Sequence, residues 1–207
     1  MKIICIGRNY AAHVLELNND IPEHPVLFMK PPSALLINDK PFYYPEFSKN
    51  IHFELELVLK IGKNGRHIQP EFADEYIQEI GLGIDFTARD LQDQCKKKGH
   101  PWEIAKSFDH SAVLGQFVEA KKLTQFKDLN FHLTKNGEKV QEGNSKNMIF
   151  DFNYLICYIS KYFKIQMGDY IFTGTPAGVG PIQIGDLLEG FLEIDGEEKK
   201  MLHCEIR

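Results

Sequence analysis

Gly, Pro, Asn or Asp bounds most of the short apolar segments of this 207-residue chain. Between the breaks lie short apolar or alternating segments at residues 3–6, 26–29, 52–60, 81–85, 112–117, 129–135, 170–173, 187–194 and 200–206. Segments of that length with turn-forming flanks read as β-strands. Asn136-Gly137 in TKNGEKV and Asp195-Gly196 in EIDGEEKKM read as hairpin turns. Helical spacing is confined to residues 71–80, 87–98 and 150–163, the last beginning FDF with Asp151 near its start. Many short strands and few helices predict a β-rich α+β fold. With no repeat and no low-complexity linker, a single domain over residues 1–207 is expected, and the polar stretch 18–25 is the candidate mobile loop.

Composition narrows the partners. An apolar fraction of 43% and a charged fraction of 26% are ordinary for a globular chain and argue against disorder. A net charge of −5 argues against the basic footprint that a nucleic-acid partner requires. No window has the length of uninterrupted apolar sequence that spans a membrane. The first apolar run ends at Gly7, too soon for a signal peptide, so a cytoplasmic location is expected. Cys5, Cys95, Cys157 and Cys204 are far apart with no CxxC pair, which points away from zinc and from a disulfide framework.

The stretch HFELELVLK carries an unusual pair of charges. Side chains alternate along a strand, so Phe53, Leu55, Leu57 and Leu59 share one face while His52, Glu54, Glu56, Val58 and Lys60 share the other. Glu54 and Glu56 would then stand about 7 Å apart on one face. A solvated edge tolerates that arrangement, whereas a shielded face needs a cation to offset the repulsion. Asp85, at the end of the segment GLGID, is a candidate third carboxylate. Three oxygen ligands without clustered thiols favour a hard cation, Mg2+ or Mn2+.

Other residues point to anion binding and proton transfer. Asp85 or Thr87 suits the cap of the 87–98 helix, Asp90 its first turn, and Lys96-Lys97-Lys98 with Gly99 its end. Arg89 opposes the helix dipole, which becomes understandable if it receives an anion together with Gln92 three residues on; an exposed arginine is the competing reading. His13 and Glu16 form an i,i+3 pair in GRNYAAHVLEL if that segment is helical, fitting either a carboxylate-oriented base or a surface pair. Lys106 sits in the apolar context WEIAKSFD, where it either finds a partner or snorkels. FTGTPAGVGPIQIGD brings backbone N–H groups and the Thr173 and Thr175 hydroxyls near a ligand or makes a structural bend, and it lacks the phosphate-loop pattern.

Taken in order, GRNYAAH with Glu16, HFELEL, DFTARDLQ, KKKGHPWEIAKSFD and GDYIFTGTPAGVGP resemble the fumarylacetoacetate hydrolase family, and especially its short acylpyruvase and oxaloacetate decarboxylase branch. The resemblance spans residues 7–181. It implies a mixed β-sandwich roll and a Mg2+ or Mn2+ site on Glu54, Glu56 and Asp85. It further implies that Arg89, Gln92, Lys106 and Thr175 hold a 2-oxo acid substrate, that His13 and Glu16 form a catalytic dyad on a lid, with Lys106 counted among the catalytic groups, and that the chain forms a homodimer. The larger members' extra N-terminal domain has no counterpart in the sequence, so a substrate other than fumarylacetoacetate is expected. The implied chemistry is cleavage of the C3–C4 bond of a 2-oxo acid through a pyruvate enolate, as acylpyruvate hydrolysis or oxaloacetate decarboxylation. An isomerase or tautomerase using the same enolate is the alternative, and a metal-binding protein without catalysis is the remaining rival.

Overall fold

The computed structural model describes residues 1–16 and 20–207. Asn18 and Asn19 of the expected mobile loop lie outside the described residues. The chain folds into one large sheet, one smaller sheet and a short ribbon, with few helices. The seven-stranded sheet runs Val26–Lys30, Ile3–Gly7, Tyr170–Phe172, Leu55–Ile61, Ile77–Asp85, Ala112–Glu119, Leu35–Leu36 in spatial order. Ile3–Gly7 pairs with Tyr170–Phe172 in parallel, which brings the N-terminus beside the glycine-rich loop that follows Phe172. The four-stranded sheet orders Glu138–Asn144, Asn130–Lys135, Leu187–Ile194 and Glu197–Glu205. Gly180–Pro181, Ile51–Phe53 and Thr87–Ala88 form the ribbon.

Both hairpin expectations hold, since Asn136 (φ 55), Gly137 (φ 83), Asp195 (φ 51) and Gly196 (φ 82) all adopt the positive φ that such turns demand. The two sheets press together closely enough that a Cβ on Gly115 would collide with the Met201 carbonyl. Leu55, Leu57, Leu59 and Ile61 point into the large core shared by both sheets, while Val58 joins a second cluster with Ile3, Cys5 and Phe172 on the opposite face. The strand is therefore covered on both faces, and nothing on it is a solvated edge.

Two expectations change. The 71–80 helix is instead a 3-10 segment, Pro70–Tyr76, running into the strand Ile77–Asp85. Pairing with Leu55–Ile61 on one side and Ala112–Glu119 on the other overrides the helical spacing there. The single strand expected over residues 52–60 breaks at Glu54, with Ile51–Phe53 in the ribbon and Leu55–Ile61 in the large sheet. The 150–163 helix is Phe152–Tyr162, with the Asp151 side chain accepting from the Tyr154 N–H at 2.8 Å. No helix among the described residues is long and apolar enough to cross a membrane.

Candidate metal centre and active site

The break at Glu54 builds the site. Glu54 lies at the junction between the ribbon and the large sheet and keeps the side that alternation gives it, beside Glu56. The junction is pinned by the Leu55 N–H on Gln141 Oε1 at 2.9 Å and by the Asp85 N–H on the Glu54 carbonyl at 2.9 Å. Asp85 comes from the end of the adjacent strand, where the chain leaves the sheet for the Arg89–Lys98 helix. One ligand oxygen from each of Glu54, Glu56 and Asp85 lies within 4.8 Å of the others, and all three residues are buried. Carboxylates from two distant stretches of chain thus meet at one point.

Cations from three elements face this triad. Lys106 Nζ donates to Glu54 Oε2 at 2.7 Å, Asp85 Oδ2 at 2.7 Å and Thr87 Oγ1 at 2.6 Å. Lys30 Nζ approaches Asp85 Oδ1 at 2.8 Å and donates to Ser111 Oγ at 2.9 Å and to the Lys106 carbonyl. Arg89 places one nitrogen on Glu54 Oε1 and another on Gln92 Oε1, the latter at 2.7 Å. Burial opposes ionisation of Glu54, but Lys106 and Arg89 outweigh it and hold its carboxyl well below the usual range. Glu56 behaves oppositely. Burial, then the charges of Asp85 and Glu54, push it well above the usual range, and the Gly174 N–H at 2.7 Å is its hydrogen-bond donor. Burial alone would depress Lys106, yet Asp85 and Glu54 raise it, so its ammonium stays charged.

This donor set fits a hard divalent cation. The ligands are oxygens, Glu56 is crowded by like charge, and Asp85 Oδ1 has no aligned hydrogen-bond donor despite the nearby ammonium. Glu54, Glu56 and Asp85 are the residues that would hold the cation.

His13 and Glu16 come together beside the triad. His13 and Glu16 lie on the short helix Ala11–Glu16, with Nδ1 and Oε2 3.3 Å apart, and His13 is buried while Glu16 is not. Glu16 also accepts from the Gly178 N–H at 3.0 Å, which ties this helix to the glycine-rich loop. Burial lowers the His13 pKa, although Glu54 and Glu16 act to raise it, and the ring is neutral near pH 7. Behind the loop, the Asn9 amide donates to the carbonyls of Thr173 at 2.7 Å and Phe150 at 3.0 Å, locking the N-terminal turn to the strand end. Thr175 Oγ1 accepts from Gln141 Nε2 at 2.9 Å and faces the same pocket. All nine site residues read from the sequence, namely His13, Glu16, Glu54, Glu56, Asp85, Arg89, Gln92, Lys106 and Thr175, lie in or directly beside this constellation.

Several details differ from the sequence reading. The Arg89–Lys98 helix is preceded by Ala88 without a side-chain cap, because Thr87 Oγ1 is engaged by Lys106 and Asp85 by both lysines. The glycine-loop N–H groups at 174 and 178 hold the chain's own carboxylates, Glu56 and Glu16. Lys30, Arg8, Lys96, Phe28 and Trp102 also belong to the site or its wall and went unread. Lys30 ends the apolar run VLFM, a position that a solvated lysine takes as readily. The cavity at the site is about 30 Å³, room for roughly one water. Larger hollows of about 400 Å³ beside Asp195 and about 620 Å³ along Phe152–Tyr162 gather no buried titratable cluster.

A mixed-sheet roll with three convergent carboxylates on its large sheet defines a class of hard-metal protein, and the comparisons identify the class. Residues 2–202 match the family model described as fumarylacetoacetate (FAA) hydrolase C-terminal. The chain belongs to the fumarylacetoacetate hydrolase family. It is 44% identical over 188 residues to the mitochondrial oxaloacetate tautomerase FAHD1 of Bos taurus, covering 91% of this chain and 85% of that protein. It is 42% identical to the oxaloacetate tautomerase YcgM of Escherichia coli strain K12, covering 90% and 86%. The crystal structure of fumarylpyruvate hydrolase from Pseudomonas aeruginosa in complex with Mn2+ and pyruvate superposes with TM-score 0.92 at 35% identity, covering 100% of this chain and 89% of that one.

Proposed function

We propose that this protein is a divalent-metal-dependent enzyme that enolises a 2-oxo acid, with keto–enol tautomerisation of oxaloacetate as the first reading. The convergence of Glu54, Glu56 and Asp85 around one point, ringed by Lys106 and Arg89, carries the proposal. Relatives named oxaloacetate tautomerase, and a structural relative holding Mn2+ and pyruvate, support it. The tautomerase names favour this reading over the C3–C4 cleavage put first from the sequence, while the name fumarylpyruvate hydrolase supports cleavage as the second. When bound, Mg2+ or Mn2+ supplies Lewis-acid stabilisation of negative charge on the 2-oxo oxygen.

The chain's own groups do the rest. Arg89, Gln92 and Thr175 orient the substrate carboxylate, each being fixed beforehand by a protein partner. His13, kept neutral by burial and with Nδ1 toward Glu16, takes the proton from C3 at Nε2. Lys106, kept protonated by Asp85 and Glu54, places a fixed positive charge beside the site that favours the enolate, and return of the proton held on His13 to the 2-oxo oxygen completes the enol. The Ala11–Glu16 helix, held to the glycine-rich loop by the Glu16 contact with Gly178, covers one side of this narrow pocket and keeps His13 against the bound acid. C3–C4 cleavage is the second reading, favoured by the His13–Glu16 pair, which suits activation of a water for attack on an acyl carbon.

The deciding experiment follows loss of the enol absorbance of oxaloacetate and, in parallel, pyruvate release from oxaloacetate and acetylpyruvate, each with Mg2+ and with chelator. Metal-dependent acceleration of enol decay without pyruvate identifies the tautomerase. Metal-dependent pyruvate release identifies cleavage. Neither effect rejects the proposal.

A further inference from the structure

Gln141 serves two parts of the site from behind its wall. It is 2% exposed and belongs to the strand Glu138–Asn144 of the smaller sheet. Strict alternation would put Lys139 and Gln141 on one face. The strand instead pairs Lys139 with Thr134 and Gln141 with Leu133, so Val140 is an extra residue, and the bulge buries Gln141 while Lys139 stays exposed. The glycine-rich loop passes so close to this bulge that a Cβ on Gly178 (φ 96) would lie 2.3 Å from the Val140 carbonyl oxygen.

The directions of the hydrogen bonds made by Gln141 are fixed. The Leu55 N–H can only donate, and it meets Oε1 at 2.9 Å. The Pro176 carbonyl can only accept, and it meets Nε2 at 3.0 Å. The amide therefore has one orientation, and its second N–H donates to Thr175 Oγ1 at 2.9 Å. A hydroxyl that accepts there keeps its own proton free, and among the described residues that proton has no acceptor. Thr175 lines the pocket beside Glu54 and Arg89, so the proton is directed to a ligand.

Resting on the reading that a 2-oxo acid enters this pocket, we infer that Gln141 is a positioning residue that makes Thr175 an obligate hydrogen-bond donor to an anionic oxygen of the substrate. A freely turning hydroxyl accepts as readily as it donates, whereas this one selects a ligand acceptor. Through Leu55, the same amide keys that donor to the backbone between the carboxylates Glu54 and Glu56.

The test is a double-mutant cycle read by calorimetric titration of the Mn2+-loaded protein with pyruvate. Thr175→Val is expected to weaken pyruvate binding by about tenfold, as loss of one hydrogen bond to a charged group gives. Gln141→Met is expected to weaken it by about threefold, because the hydroxyl is then free to turn among three staggered positions. Combined, the two should cost no more than Thr175→Val alone, since Gln141 acts through the hydroxyl that valine lacks. Unchanged affinity in Gln141→Met overturns the inference, as does a loss of about thirtyfold in the double variant, the product that two independent effects give. Should Gln141→Met fail to fold, Gln141→Glu keeps the shape and the Leu55 contact while offering the Thr175 proton an internal acceptor. It is expected to lose at least as much affinity as Thr175→Val, and affinity equal to the parent's overturns the inference. The enol-decay assay on the same samples tests the reaction separately: coupling without turnover rejects the proposed reaction and leaves the hydroxyl assignment standing. Turnover without coupling does the reverse, and a parent that binds no pyruvate overturns the assignment whatever its turnover.

Discussion

Oδ2 of Asp85 lies 2.7 Å from Nζ of Lys106, and its other oxygen faces Lys30 at 2.8 Å, so one buried carboxylate is clamped between two buried ammoniums. The lysines come from different elements, the edge strand Val26–Lys30 and the short helix Glu103–Lys106, and the Lys30 ammonium also holds the Lys106 carbonyl. Asp85 therefore ties the edge of the large sheet to its centre. Removing one partner leaves a charge buried without its counter-charge, which is far more costly than never burying the pair.

Lys30→Met is accordingly expected to destabilise the protein by about 3–5 kcal/mol. Urea denaturation in chelator measures this, and a loss below about 1 kcal/mol would show that Lys106 alone suffices for Asp85.

Glu56→Gln separates metal binding from folding. Burial and the charges of Asp85 and Glu54 make an ionised Glu56 costly, so the neutral isostere is expected to melt no lower than the parent in chelator. The rise in melting temperature that Mg2+ or Mn2+ gives the parent through mass action should vanish, together with metal-dependent turnover. A metal-induced rise equal to the parent's would remove Glu56 from the ligand set.

A pH profile reports on His13. Its folded pKa is lowered from 6.5 by burial, with Glu54 and Glu16 opposing, so the unfolded chain binds the proton more readily. Its contribution to stability is present above pH 6.5 and is lost as pH falls through the lower folded value. The acid limb of kcat/KM is expected below pH 6.5, and Glu16→Gln, which removes a charge that favours the imidazolium, should move that limb lower still while reducing the maximum. A limb that stays in place in Glu16→Gln would separate Glu16 from the base.

How far the sequence could be read depended on how local each signal was. The hairpins at Asn136-Gly137 and Asp195-Gly196, the left-handed Gly99 (φ 66) after the Arg89–Lys98 helix and the Asp151 cap rest on backbone preferences of a few neighbouring residues. The 71–80 helix failed because Ile77–Asp85 is buried between two strands distant in sequence, and that pairing outweighs helical spacing. Among site residues, the acids and His13 were legible from motif wording. Lys30 was not, since a lysine at a strand end looks like any solvated one until its neighbours are in place. Lys96 was absorbed into a helix-terminal run whose three members only the fold distinguishes.

Alone, the order of residues determined the β-rich class, the tight turns, the absence of a thiolate cluster and the set of acids able to bind a hard cation, because each follows from nearest-neighbour conformation or side-chain chemistry. Tertiary structure decided that Asp85 meets Glu54 and Glu56, that Lys30 and Lys106 share Asp85, and that the Glu54 carboxyl is held below the usual range while that of Glu56 is pushed above it. Those outcomes depend on which charges are brought within a few ångströms of each other out of water, where electrostatic energies are largest, and no local pattern encodes that distance.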